Sequence, residues 1–185
     1  MRTAFTVSVD LKTATTGISA GERAQTIAQL GSPDASADDF VRPGHVFPLR
    51  YREGGVLKRT GHTEAAMDLS RMAGCGPAGV LCEIVKDSDG SMARLPDLKI
   101  FAEKHDLKLV LISDMVRYRC KREVLVERTA SARVPTAFGN FTAVSYKSKV
   151  DGIEHVAFVY GDNAEAASGD NTLVRVHSEC LTGDI

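Results

Sequence analysis

The sequence of 185 residues lacks tryptophan, and it has no apolar run near the roughly 18 residues that a membrane-spanning helix needs. It also lacks an excess of charge, because 23 Lys and Arg face 24 Asp and Glu, for a net charge of -1. A basic surface of the kind that holds nucleic acid is therefore not indicated. We expect a folded globular protein with no nucleic-acid partner and no membrane partner.

Cysteines are few, at positions 75, 82, 120 and 180, and no two of them have the short spacing of a structural zinc knuckle. Four thiols are also too few for a disulfide scaffold in a chain of this length. The first residues do not form the apolar segment of a secretory signal. These absences together predict a cytoplasmic protein.

The first third of the chain alternates between strand and helix signals. Phe5 to Asp10 alternates apolar and polar residues, which predicts a half-buried strand. Ser19 and Glu22 have the spacing of a capping box, so a helix is expected to run from there until Gly31. The following Arg-Pro-Gly-His sequence is typical of a turn, and it would place His45 at the edge of an element.

Two chemically notable residues follow. Gly55 to Arg59 predicts a short strand, and Thr63 would cap the next helix, so His62 is expected at a strand-to-helix junction. The apolar run from Ala78 to Val85 has strand length, with Glu83 in its middle. A charge in a core strand is costly unless it is paired, so a site residue and a strand-edge residue are both open interpretations of this glutamate.

Further along, a helix starting near Leu95, a strand over 107–112 and a short helical tail from Asp114 are expected. This alternation of elements predicts an α+β or mixed α/β domain. A charged connector over 117–123 then leads to strand-like runs, which are 124–127, 140–146, 155–159 and 172–176. We predict two domains, 1–120 and 121–185.

Three segments in register resemble 3,4-dihydroxy-2-butanone 4-phosphate synthase. They are Phe40 to Leu49 (FVRPGHVFPL), Arg59 to Ala66 (RTGHTEAA) and Gly79 to Ile84 (GVLCEI), and the resemblance extends from about Thr3 to Arg119. It implies the mixed-sheet α/β sandwich of that family, within the α+β class, and a homodimer.

The resemblance also implies an activity and roles for individual residues. The family converts ribulose 5-phosphate to 3,4-dihydroxy-2-butanone 4-phosphate and formate, with Mg²⁺ or Mn²⁺, in riboflavin biosynthesis. His62 would then be a metal ligand, His45 an essential site residue and Glu83 both a proton carrier and a substrate contact. The sugar phosphate would be held by a continuous segment, namely Arg59, Thr60, Gly61, His62 and Thr63.

These roles agree with general chemistry. Burial on an apolar strand would raise the carboxyl pKa of Glu83 toward the pH at which a base works. Arg59 beside backbone N–H groups at a helix start would suit a phosphate. For His45 and His62, the alternative is a turn histidine bonded to the backbone, and the register of the three motifs favours the functional role.

The second segment resembles the start of GTP cyclohydrolase II, through 133–141, 151–155 and 175–184. The two activities are fused in this order in bifunctional riboflavin proteins. The resemblance implies GTP contacts from Arg175, Val176, His177, Ser178 and Glu179, and it makes Cys180 the first of three zinc ligands. Zn²⁺ is expected only if that domain were complete, because one thiolate does not make a zinc site.

Two departures from the family patterns leave alternatives open. The acidic strand-loop that opens the synthase family is missing, and so are the later zinc cysteines. We therefore expect an internal stretch of a bifunctional protein. The leading interpretation is the synthase reaction; a catalytically incomplete fragment or a sugar-phosphate-binding non-enzyme is the alternative, and GTP cyclohydrolase II is the second alternative.

Overall fold

The computed structural model describes residues 3–161 and 172–178. Two compact units divide the chain, Met1–Glu123 and Val124–Ile185. The division falls three residues beyond the end of the first predicted domain, at the end of a helix. Within the described residues, no helix is long and apolar enough to cross a bilayer.

From residue 3 onward, the first unit combines four short strands with four α-helices. Antiparallel pairs join β1 to β4 and β2 to β3. The elements, in chain order, are β1 (Ala4–Phe5), β2 (Val9–Leu11), α1 (Ala20–Leu30), β3 (Phe40–Val46), β4 (Leu49–Arg50), α2 (His62–Met72), α3 (Leu95–Lys104) and α4 (Ile112–Arg122). Mixed helix and sheet is what the α+β prediction requires.

Helix α1 begins and ends where the capping signals predict. The Ser19 hydroxyl accepts the Glu22 N–H at 3.2 Å, and Gly31 closes the helix. Thr26 faces inward, fully buried, and its hydroxyl accepts the Leu11 N–H at 3.0 Å, which ties α1 to β2. Local capping chemistry therefore fixes this helix, and one buried hydroxyl attaches it to the sheet.

The small apolar core of this unit lies between the 3₁₀ turn Gly55–Leu57 and helices α2 and α4. Val56, Ala65 and Met115 are buried together there. Two carboxylates of α2, Glu64 and Asp68, are also buried, with exposed fractions of 1% and 5%. Buried carboxylates need partners, and these partners define the neighbouring loop.

Several strand predictions for this unit are wrong. The predicted turn around Pro43 lies inside strand β3, and the predicted strand over 55–59 is a 3₁₀ turn. The apolar runs 78–85 and 107–111 are irregular. Of these residues only Val85 makes a β-bridge, and its partner is Met92. An apolar run of strand length forms a strand only if another strand offers its backbone groups, which no described segment does here.

Two helix boundaries also differ from the predictions. Helix α2 begins at His62 with Gly61 as its N-cap, so Thr63 lies inside the first turn and does not cap it. The charged connector over 117–122 belongs to helix α4, because its arginines find partners in the same unit. Helix α3 starts at Leu95 with Pro96 in its first turn, as predicted.

In the described residues of the second unit, an antiparallel sheet has three strands in the order β5–β6–β7. Its strands are β5 (Val126–Thr136), β6 (Gly139–Ser148) and β7 (Glu154–Tyr160). Strands β6 and β7 confirm two predicted runs, whereas β5 is far longer than its prediction. The predicted strand at 172–176 is wrong, because these residues form an exposed irregular segment.

Candidate functional site

A histidine–carboxylate pair lies where strands β2 and β3 meet. Asp10 Oδ1 accepts the His45 backbone N–H at 2.9 Å, and Asp10 Oδ2 lies 2.7 Å from His45 Nδ1. Asp10 is buried with 6% exposure, while the His45 side chain is 46% exposed. The carboxylate thus holds the histidine in a fixed position while the ring reaches solvent.

This pairing fixes which ring nitrogen of His45 can accept a proton. The backbone N–H of His45, more than its ring, holds the pKa of the Asp10 carboxyl below its ordinary value. An ionised Asp10 only accepts hydrogen bonds, so the neutral ring carries its proton on Nδ1. Nε2 is left with a free lone pair, which is what a general base requires.

The loop before α1 covers Asp10 and has no room for a side chain at one point. Gly17 has φ +72°, and a Cβ there would lie 2.3 Å from Asp10 Oδ2. Glu22 stabilises this loop by accepting hydrogen bonds from the Thr15 N–H, at 2.6 Å, and from the hydroxyls of Thr15 and Thr16. The Thr15 donors lower the pKa of Glu22 to about 2.

Three of the predicted substrate-binding residues, Arg59, Thr60 and Gly61, line an open hollow of about 350 Å³. Leu57, Lys58, Arg59, Thr60 and Gly61 line it, and we call it the 57–61 hollow. It lies at the start of α2, whose N-cap Gly61 supplies no side chain to the first N–H groups of the helix. Helix N-termini attract anions through these N–H groups and the helix dipole, so the hollow suits a phosphate.

Two side chains hold the guanidinium of Arg59. Its Nη1 lies 2.5 Å from Glu64 Oε2, and its Nη2 donates to Thr3 Oγ1 at 3.1 Å. The other oxygen of Glu64 accepts the Arg52 backbone N–H at 3.2 Å. Glu64 therefore links Arg52, which precedes the 3₁₀ turn, to Arg59, which follows it.

One turn further along α2, Asp68 repeats the arrangement with another arginine. Asp68 Oδ2 accepts the Val56 backbone N–H at 2.9 Å and Arg119 Nη1 at 2.8 Å. Arg119 also donates to the Gly54 carbonyl and to Glu123. The Glu123 hydrogen bond is the main reason that the pKa of Arg119 is raised and that of Glu123 is lowered.

Glu83 does not lie on a buried strand, which corrects the prediction. It is exposed within an irregular segment, and among the described residues its carboxylate has no hydrogen bond or ion pair. The predicted burial of Glu83 is therefore wrong. No hydrogen bond within residues 3–161 links it to His45 or to the 57–61 hollow.

The described residues do not fit a divalent cation. No group of three His, Cys, Asp or Glu side chains converges within the described part of the chain. His62 is exposed at the first position of α2, where the helix dipole favours anions over cations. Mg²⁺ and Mn²⁺ also prefer several oxygen ligands, which a single imidazole cannot supply.

The predicted GTP contacts fall in the last described segment. Arg175, Val176, His177 and Ser178 are exposed and belong to no helix or strand. Glu179 and the predicted zinc ligand Cys180 lie outside the described residues. The roles of this segment therefore stay predictions.

Two residues that organise the site were missed by sequence reasoning. The alternating pattern predicts Asp10 only as the end of a strand, and its partner His45 lies 35 positions away. Glu64 was grouped with its motif but given no role. The one available signal was the four-residue spacing of Glu64 and Asp68, which places two carboxylates on one helix face.

Comparison with family models covers both units. Residues 1–118 match the model of 3,4-dihydroxy-2-butanone 4-phosphate synthase, and residues 127–185 match that of GTP cyclohydrolase II. The two matches follow each other in the chain with a gap of eight residues, which includes the division between the two compact units.

Curated relatives are named as riboflavin biosynthesis proteins. The chain is 61% identical over 99% of its length to the probable bifunctional protein RIBA 2, chloroplastic, of Oryza sativa, and 59% identical over 99% to RibBA of Nocardia farcinica. It is also 61% identical to a protein of Arabidopsis thaliana named monofunctional RIBA 2, chloroplastic. The chain spans 32% to 44% of the length of these relatives.

Solved structures support the same assignment. The two-domain synthase RibBX of A. baumannii matches with a TM-score of 0.78 and 46% identity, over 86% of this chain and 47% of that one. A synthase described in complex with two magnesium ions matches with a TM-score of 0.57 and 41% identity, over 65% and 61%. The predicted fold class is confirmed, and the chain belongs to the 3,4-dihydroxy-2-butanone 4-phosphate synthase family, with a GTP cyclohydrolase II match after it.

Proposed function

We propose that the first unit acts in the synthase reaction of riboflavin biosynthesis, which converts ribulose 5-phosphate to 3,4-dihydroxy-2-butanone 4-phosphate and formate. The observation that carries this proposal is the Asp10–His45 pair, which leaves Nε2 of a partly exposed histidine free to take a proton. The reaction requires removal of a proton next to a carbonyl, and a fixed, neutral imidazole suits that step.

In this proposal the 57–61 hollow receives the phosphate of the substrate. Arg59 contributes positive charge, while Thr60, Gly61, His62 and Thr63 contribute backbone and hydroxyl donors at the start of α2. A phosphate held there would fix one end of the sugar, so that the carbon to be deprotonated is presented in a defined orientation.

His45 would take the first proton through Nε2, with Asp10 stabilising the charged ring that results. Glu83 would carry protons in the later rearrangement, for which an exposed carboxylate must approach the substrate. A divalent cation, Mg²⁺ or Mn²⁺, supplies Lewis-acid stabilisation of developing negative charge in such chemistry. The described residues alone do not supply a set of ligands for it.

The partners and location follow the family in the same way. Ribulose 5-phosphate is the proposed substrate, and a homodimer in the cytoplasm is the proposed state. The names of the plant relatives point to the chloroplast for those proteins. Equilibrium sedimentation of the purified chain would test the dimer.

Formate release from ribulose 5-phosphate, with Mg²⁺ and with chelator, tests the reaction. We expect formate from the parent chain and a loss of at least about a hundredfold in Asp10→Asn and His45→Gln, the usual range for general-base catalysis. Circular dichroism serves as the folding control. Full activity in a folded His45→Gln variant would refute the role of the histidine, and full activity in Glu83→Gln would refute the role of the glutamate.

A binding protein without turnover is the second candidate, and the exposed, unpaired carboxylate of Glu83 within the described residues favours it. Calorimetry would then detect ribulose 5-phosphate binding in a folded sample that releases no formate. GTP cyclohydrolase II is supported by the match over 127–185 alone. Stoichiometric zinc in the purified chain is the measurement that would sustain it.

A further inference from the structure

We infer that Glu64 is a positioning residue of the phosphate site: it sets the direction of Arg59 toward the 57–61 hollow and does not itself touch the substrate. This inference rests on the proposed function, in which that hollow receives the substrate phosphate. The motif that carries the family resemblance includes Glu64, yet neither the metal role of His62 nor the anion role of Arg59 accounts for it.

The geometry of Glu64 is that of a clamp on a loop. Its carboxylate is almost fully buried, with 1% exposure, and both of its oxygens are used. Oε1 accepts the backbone N–H of Arg52, and Oε2 accepts Nη1 of Arg59. The carboxylate therefore joins two points of the chain that lie on either side of the 3₁₀ turn Gly55–Leu57.

The clamped arginine lies directly against the N-cap of α2. A Cβ added at Gly61 would fall 2.1 Å from Arg59 Nη1 and 2.6 Å from Glu64 Oε2. The ion pair thus occupies the space that a side-chain cap would otherwise take. Glycine at this position lets the guanidinium approach the free end of the helix, where an anion would bind.

Two interpretations of this pair predict opposite effects on phosphate binding. If Glu64 only offsets the charge of Arg59, neutralising the carboxylate leaves more positive charge at the hollow and phosphate binds more tightly. If Glu64 positions Arg59, the freed guanidinium leaves its fixed orientation and phosphate binds more weakly, because the ordering must then take place on binding. The sign of the change separates them.

Asp68 supplies a matched control on the same face of α2. It is also buried, and it also accepts one backbone N–H, from Val56, and one arginine, Arg119. Its arginine belongs to α4 and does not line the 57–61 hollow. Asp68→Asn therefore removes a comparable buried charge without releasing Arg59.

The experiment measures the Kd of inorganic phosphate by calorimetry for the parent chain, Glu64→Gln and Asp68→Asn, with circular dichroism of each sample. We expect Glu64→Gln to raise the phosphate Kd about tenfold, the scale of one charge-assisted hydrogen bond. Asp68→Asn should leave the phosphate Kd within about twofold of the parent value. If formate release is measurable, Glu64→Gln should raise KM for ribulose 5-phosphate more than it lowers kcat.

Glu64→Asp covers the case in which Glu64→Gln does not fold. It keeps the negative charge but shortens the side chain. If Glu64 positions Arg59, this variant should raise the phosphate Kd; if Glu64 only offsets the charge of Arg59, the phosphate Kd should not change. Tighter or unchanged phosphate binding in a folded Glu64→Gln or Glu64→Asp variant, an equal loss of binding in Asp68→Asn, or no phosphate binding by the parent chain would each overturn the inference. Phosphate binding that responds as expected in a chain without formate release would support positioning and reject the reaction.

Discussion

Residues 52–68 and 76–93 carry two of the motifs that resemble the synthase family, and their side chains have different surroundings in the structure. In the first region, Glu64 and Asp68 fix the loop through buried hydrogen bonds to Arg52, Arg59 and Val56. In the second, Glu83 is exposed, and the backbone forms one isolated bridge from Val85 to Met92.

The difference shows what kind of contact each motif needs. The loop at 52–61 is ordered by side chains of the helix that follows it directly, within 16 residues of sequence. The apolar run around Glu83 could form a strand only beside another strand that pairs with its backbone N–H and C=O groups. No described strand does so, and the segment is irregular. We therefore expect mutations in the first region to affect folding strongly and those in the second to affect it little.

The largest contrast is expected between Glu64→Ala and Glu83→Ala. Removing Glu64 leaves a mostly buried guanidinium without its partner, which should lower the free energy of unfolding by about 3–5 kcal/mol. Removing exposed Glu83 should change it by less than about 0.5 kcal/mol. Urea unfolding followed by circular dichroism measures both. Equal losses in the two variants would mean that the segment at 76–93 is packed after all.

Alanine substitutions at one glycine of each region test the same difference in stability, with a smaller expected effect. Gly55 has φ +62° and a Cβ there would lie 2.2 Å from Asp68 Oδ1, whereas Gly90 has φ +71° with nothing within 4 Å. Both alanine variants meet the left-handed backbone cost of about 1–2 kcal/mol, and Gly55→Ala adds overpacking of about 1–3 kcal/mol. Thermal unfolding at matched pH compares them. A Gly90→Ala variant as damaged as Gly55→Ala would contradict the open surroundings of residue 90.

The smallest expected effect is on the pH dependence of stability, and it concerns Glu22, whose carboxylate is bonded by threonine and serine donors and not by an arginine. The folded-state pKa of Glu22 is about 2 against an ordinary value of 4.5, so its stabilisation is complete above pH 4.5 and is lost as pH falls toward 2. Glu22→Gln should therefore unfold at a lower temperature than the parent at pH 7, and the gap should narrow as the pH falls from 4.5. A gap that is constant across this range would exclude the carboxylate charge as its cause.

Elements decided by neighbours in sequence were predictable. Helix α1 carries its own cap in Ser19 and Glu22, helix α3 its proline in the first turn, and strands β6 and β7 their alternation. In the first unit, the predicted strand from Phe5 to Asp10 only partly matches β1 and β2, and other predicted strands are absent, because strand pairing depends on distant backbone groups. The same reason hid the Asp10–His45 contact, since nothing in either local sequence indicates the other.

By itself, the sequence determined the family through three motifs in register, the α+β class through its alternation of elements, and the caps of its helices. The tertiary structure alone decided which motif residues are held and by what: Asp10 on His45, Glu64 on Arg59, and no described partner for Glu83. The physical reason is that a carboxylate acquires its role from the donors that surround it, and the fold brings those donors from other parts of the chain.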